Sequence, residues 1–177
     1  LAARGIRVLT NTKAAAFEGE DGVKAVKTDN GTLPCELAVM AIGIRPNTDF
    51  LKDSGIELDG GKIVVDSSLA TNVDDIYAAG DRAMVTNRIT GEKQWSPMGS
   101  SANMEARTLA QILTGGEKAY PGVLGTGIVK LPELNIGRTG LCEDEAVKAG
   151  YDVITALAVT DDKAHYYPDS AFFITKL

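Results

Sequence analysis

Apolar residues in this chain come in short runs, and the longest, Leu37 to Ile44, falls far short of the ~20 residues a membrane-spanning helix needs. What remains available is an architecture of short strands and amphipathic helices around a water-excluding core. Glycine punctuates the runs, 19 residues against 6 prolines. A 44% hydrophobic fraction with 24% charge is the profile of an ordinary water-soluble globular protein. The 177 residues allow one compact domain or parts of two. Against 18 Lys+Arg stand 24 Asp+Glu, a net charge of −6 with no basic run, so a nucleic-acid or anionic-membrane surface has no electrostatic support. No signal-peptide pattern opens the sequence, and a cytoplasmic location is expected.

The order of signals predicts an α/β chain. Leu1 to Gly5 reads as the last turn of a helix, and Ile6 to Leu9 as a short strand. Strand-like runs over Ala14 to Glu18 and Val23 to Thr28, and a third ending near Cys35, are joined by glycine turns, which predicts an antiparallel meander. The apolar run from Glu36 to Ile44 predicts a strand covered on both faces. Asn47 or Thr48 is placed to cap a helix over Asp49 to Ser54, and Ile63 to Val65 and Ile76 to Ala79 read as buried strands. From Ser100 to Leu113 the residues Ala102, Ala106, Leu109, Ala110 and Leu113 recur at helical spacing. Strands over Gly127 to Leu131, Leu134 to Gly137 and Val153 to Val159, and a helix over Glu143 to Ala149, complete the prediction.

Chemistry concentrates at Gly80-Asp81. A buried strand ending there would set a carboxylate at the carboxyl edge of a sheet, where open α/β sheets hold ligands, with a glycine that admits close approach. An ionised Asp81 only accepts hydrogen bonds, which suits a sugar or polyol hydroxyl and repels phosphate. Gly-Asp is equally ordinary turn or helix-cap chemistry. The helix that follows offers unpaired amides and a positive pole at its start, or serves only to pack. Cys35, Cys142 and the single histidine, His165, are too scattered for a zinc cluster or a CxxC pair; both cysteines read as buried thiols and no metal site is expected. No residue is assigned as catalytic.

As a whole, Thr71, five residues, then Tyr77-Ala78-Ala79-Gly80-Asp81 resembles the second FAD fingerprint of the pyridine nucleotide-disulfide oxidoreductase family. Leu37 to Thr48 is similar to that family's return from its NAD domain to its FAD domain, and Trp95 to Asn103 to the entry of the helix facing the flavin pyrimidine ring. The resemblance implies FAD as cofactor, held by Gly80, Asp81, Ser101, Ala102 and Asn103, with Asp81 on the ribityl chain and Ala102 and Asn103 donating through their backbones. Gly125 to Lys130, Leu134 to Leu141 and Ala164 to Pro168 resemble the opening of the dimerisation domain in the NADH oxidase and coenzyme A-disulfide reductase branch. There Tyr166 or Tyr167 would reach a partner's active site, or pack at a sheet or interface; His165 reads as a surface or interface residue.

The fold implied is a fragment of the two-dinucleotide-binding-domain flavoprotein: the end of an NAD(P)H domain with its β-meander (1–44), the C-terminal part of an FAD domain (45–118), and a truncated α+β dimerisation domain (119–177). No GxGxxG is present, there is no initiator Met, and the last residues read as a strand without a closing turn, so a piece of a longer protein, inactive alone, is expected. The parent would be a homodimer passing a hydride from NAD(P)H through FAD to a disulfide, persulfide or oxygen. Competing readings are the flavin module of a ferredoxin, rubredoxin or nitrite reductase, and a noncatalytic assembly domain.

Overall fold

The computed structural model describes residues 5–116 and 119–177, so the expected terminal helix turn before Gly5 lies outside the described residues. The chain divides into two compact units, Leu1–Ile44 and Arg45–Leu177. In the first, β1 (Ala14–Glu18), β2 (Ala25–Thr28) and β3 (Gly31–Pro34) form an antiparallel sheet in the order β1-β2-β3, the meander expected. Its turns are set locally. Gly19 sits at φ +141°, where a Cβ would lie 1.8 Å from the Gly22 carbonyl oxygen, so only glycine fits. At the second turn the Thr28 hydroxyl donates to the Gly31 carbonyl at 2.7 Å and accepts the Asn30 N–H at 3.2 Å.

Two strand expectations in this unit fail. Residues 6–9 and 36–44 carry no strand, and Leu37, Val39, Met40, Ile42 and Ile44 are exposed, Ile42 at 86%. A strand apolar on both faces exists only between neighbours that share its ladder and cover its side chains, and the described residues of this unit supply neither.

The second unit is organised by a sheet of β4 (Leu58–Asp59), β5 (Lys62–Val64), β6 (Ala83–Thr86) and β7 (Lys93–Trp95), in that order. The β5–β6 pair is parallel and its two neighbours are antiparallel. A parallel pair needs a crossover, and residues 65–82 make it. The core comprises Ile63, Val65, Leu69, Ala83, Val85, Tyr120 and Val123, with Ala78, Ala79 and Leu109 packed against it. The long helix α1 (Gly99–Leu113) follows β7. A hairpin of β8 (Gly127–Leu131) and β9 (Leu134–Arg138), helix α2 (Glu143–Lys148), and a hairpin of β10 (Leu157–Asp161) and β11 (Phe172–Lys176) complete the chain.

Several expectations shift. Ile76 to Ala79 is not a regular strand: it makes one bridge, Ala70 to Tyr77, while Ile76 and Tyr77 remain partly exposed. The expected helix over Asp49 to Ser54 shrinks to a 3-10 turn, Asp49–Leu51, because the buried Thr48 hydroxyl donates to the Gly61 carbonyl at 2.6 Å instead of capping. Along α1 the covered positions are Ser101, Ala102, Glu105, Thr108, Leu109 and Ile112, a stripe rotated from the predicted one, and Leu113 is exposed. Cys35 is half-buried and Cys142 exposed, so neither is the buried thiol expected.

Leu69 is fully buried in the crossover at φ +62°. Leu69→Ala is expected to lower stability by about 3 kcal/mol through lost burial and a residual cavity. The check is a urea unfolding midpoint that falls with unchanged slope; a variant indistinguishable from wild type would remove the crossover from the core.

Candidate functional site

The turn from Ala79 to Arg82 is held from three sides. Gly80 takes φ +87°, a left-handed conformation that favours glycine. Its N–H donates to Oε2 of Glu105, on α1, at 2.6 Å, and its carbonyl accepts the Ala83 N–H at 2.8 Å, which starts β6. The Asp81 carbonyl accepts the Trp95 indole N–H at 2.7 Å. The Arg82 carbonyl accepts the Ile63 N–H at 2.8 Å, which ties the turn to β5 as well. The Asp81 carboxylate is different: it is exposed and has no hydrogen-bond partner among the described residues.

This geometry alters two arguments made from sequence. Asp81 does not stand at the carboxyl edge of a sheet, because residues 76–79 lack the neighbours that would make them a sheet strand; it lies in the turn at the amino end of β6. Nor does the missing Cβ of Gly80 open space for a ligand. A Cβ there would point at the Ala102 Cβ, 3.6 Å away, so the glycine serves the positive φ and the approach of α1.

The same 3.6 Å approach puts the first turn of α1 beside the Gly80 turn. Met98 is the N-cap in an extended conformation, no side chain caps the helix, and no acidic residue stands in its first turn. The Ala102 N–H donates to the Met98 carbonyl at 2.9 Å, and Asn103 lies within the helical ladder. Of the residues predicted to donate through the backbone, these two have spent their amides inside the helix. The unpaired ones belong to Gly99, Ser100 and Ser101. The Ser101 hydroxyl is tied to that of Ser96 at 3.0 Å, which fixes the segment entering the helix.

Glu105 is the residue that sequence reasoning missed. It is 1% exposed, and burial first, then the negative charge of Asp81, raise its carboxyl above the usual value, opposed by the Gly80 amide and the Tyr120 hydroxyl. Tyr120, itself buried, is pushed up to about 12 by its own burial and then by Glu105. The signal was present in the sequence: Glu105 stands three residues after Ala102 and four before Leu109, a charged residue on the apolar face.

The remaining candidates lie apart from this constellation. Cys142 caps α2 with Glu145, whose carboxylate accepts the Cys142 N–H at 2.9 Å, and Arg138 donates to the sulfur at 3.2 Å. His165, Tyr166 and Tyr167 are exposed and contact one another ring to ring, rather than packing on a sheet of this chain. No helix among the described residues is long and apolar enough to cross a membrane.

Comparison with known proteins adds the following. Residues 1–106 match the family described as pyridine nucleotide-disulphide oxidoreductase. The chain is 41% identical over 157 residues to an NAD(P)H sulfur oxidoreductase (CoA-dependent) of Pyrococcus furiosus, covering 88% of this chain and 36% of that protein. It is 31% identical over 164 residues to an NADH oxidase of Methanocaldococcus jannaschii, covering 93% of this chain and 37% of the relative. Among solved structures, an NAD-dependent persulfide reductase of A. fulgidus superposes with a TM-score of 0.85 at 33% identity, over 99% of this chain and 33% of that one. The chain thus spans about a third of the length of the relatives it matches.

A raised carboxyl in the folded state means that folding favours the protonated Glu105. Its contribution to stability is complete below the usual value of 4.5 and is lost as pH rises through the higher folded value. Glu105→Gln cannot ionise. Its melting temperature relative to wild type is therefore expected to rise as pH increases above 4.5. A difference that stays flat with pH, measured by calorimetry, would contradict the burial of a titrating group there.

Proposed function

Because the chain belongs to the pyridine nucleotide-disulphide oxidoreductase family, we propose that it is the C-terminal part of an FAD-dependent enzyme that oxidises NAD(P)H and reduces a small sulfur acceptor. The observation that carries this reading is the pairing of an exposed, unpartnered carboxylate at Asp81 with the uncapped start of α1, held together through Gly80 and Glu105. A ribityl hydroxyl needs an acceptor with free lone pairs, and Asp81 has them. Negative charge developing on a reduced flavin ring needs donors and a positive potential, and Gly99, Ser100 and Ser101 hold free amides at the positive end of a 15-residue helix. On this reading the cofactor is held by the Asp81 carboxylate and the free amides of Gly99, Ser100 and Ser101, with Gly80 shaping the turn that carries Asp81. Ala102 and Asn103 act by holding the first turn of the helix, not by donating.

When bound, FAD would supply the hydride acceptance and onward electron transfer. The residues of this chain orient its polyol and stabilise charge at the ring. The sulfur and persulfide reductases among the relatives, which include the higher identity of the two sequence comparisons, support a persulfide or related disulfide acceptor over oxygen. The division we infer is an NAD(P)H-domain tail over 1–44, FAD-domain residues over 45–118 and an interface segment over 119–177. The apolar hairpin β10–β11, with Leu157, Phe172 and Ile174 exposed, supports a homodimeric parent. A cytoplasmic location accompanies this reading.

The full natural chain is expected to purify yellow and to bleach under NADH or NADPH. Asp81→Ala is expected to weaken FAD binding about tenfold or more, the loss of a hydrogen bond to a charged acceptor worth ~1.5–3 kcal/mol. A colourless protein, or an Asp81→Ala variant with unchanged FAD affinity in a flavin-fluorescence titration, would overturn the assignment.

A further inference from the structure

The reading above uses Glu105 only as the link between the helix and the Gly80 turn, and its buried carboxylate asks for a more specific role. Its Oε2 accepts the Gly80 N–H at 2.6 Å, so a side chain of α1 grips the main chain of the very turn that carries Asp81. The Tyr120 hydroxyl faces the same carboxylate. Tyr120 is fixed in turn, its N–H donating to the Ser67 carbonyl at 2.7 Å, while Val123 donates to the Thr86 carbonyl at 2.9 Å beside β6. Glu105 thus joins α1, the Gly80 turn and the segment after residue 119.

A buried carboxylate is a costly way to hold an amide unless the amide must be held, because an apolar residue of similar volume would pack without desolvating a charge. The alternative cost is that a buried N–H without an acceptor loses its own hydration, and the turn would swing to recover it. At φ +87° Gly80 has the widest choice of other conformations of any residue type, so the acceptor is what selects this one.

The geometry points to Glu105 as a positioning residue for the cofactor: by clamping the Gly80 amide it fixes the distance between the Asp81 carboxylate and the free amides of α1. This inference rests on the flavin reading of the site. The groups facing Glu105 are the Gly80 amide, the Tyr120 hydroxyl and the Asp81 carboxylate. None of them is a cation, so the clamp works through its acceptor atom and not through an ion pair. An uncharged amide acceptor at position 105 therefore suffices.

The test uses the full natural chain, with Glu105→Gln, which keeps an acceptor oxygen, and Glu105→Met, which fills similar volume without one. Two quantities are read: the dissociation constant for FAD by flavin fluorescence, and hydrogen exchange of the Gly80 amide in the flavin-free protein. Glu105→Met is expected to bind FAD about tenfold more weakly, as befits a buried amide left without its acceptor, and to lose protection at Gly80. Glu105→Gln is expected to stay within about twofold of wild type on both.

Equal FAD affinity in the Met and wild-type chains, or a Gln variant as weak as Met, would overturn the positioning role. Should Glu105→Met fail to fold, wild type alone decides, since a Gly80 amide that exchanges as fast as an open loop excludes the clamp. A wild-type chain that binds no FAD sinks the flavin reading instead, and the exchange measurement still judges the clamp separately.

Discussion

The hydrogen bond from the Gly80 amide to the buried carboxylate of Glu105 is the contact on which the local architecture turns. Without it the crossover between the parallel strands β5 and β6 loses its hydrogen bond to the helix, and the three constraints on the Gly80 turn reduce to two, the Ala83 amide and the Trp95 indole. The bond is sheltered from water, which strengthens it, while the same shelter raises the cost of ionising its acceptor. The two effects oppose each other, and the raised carboxyl of Glu105 shows that burial dominates. The interaction is therefore one in which geometry is bought at some expense in stability.

How much of this was legible in the sequence follows from where each signal resides. The meander, α1 and the β8–β9 hairpin are specified by local chemistry: glycine where a turn demands it, Thr28 closing its own turn, and an apolar stripe on a helix bounded by serines and glycines. These were readable because their information lies within a few residues of the element itself. Glu36 to Ile44 and Ile76 to Ala79 carry equally strong strand composition. Composition states only that such a segment will be covered when a neighbour is present, and the described chain brings no ladder to either.

The candidate site shows the same division. Gly80 and Asp81 were found from a linear pattern, but what each does was not, because φ, the direction of a missing Cβ and the acceptor of an amide are all set by contacts distant in sequence. Glu105 lies 25 residues from the glycine it holds. Trp95, which anchors the Asp81 carbonyl at 2.7 Å, was read only as part of a helix entry. β6 was overlooked because Gly80-Asp81 draws attention as an end, whereas the chain continues at once into the most buried strand of the unit, Ala83 to Val85.

A helix start and a carboxylate carry opposite electrostatic signs, and their adjacency constrains what can lie between them. An anion alone would favour the Gly99 to Ser101 amides but be repelled by Asp81; a cation would be held by Asp81 and repelled by the positive end of α1. The ligand that satisfies both is one that presents hydroxyl donors to the carboxylate and, further along, an acceptor that gains negative charge to the amides. The absence of an acid in the first turn of α1 matters for that reason, since a Glu or Asp there would occupy the amides and cancel the potential. A surface built only for packing has no cause to leave both the carboxylate unpartnered and the helix uncapped at the same place, and a clamp from the helix interior onto the turn between them is what keeps the two from drifting apart.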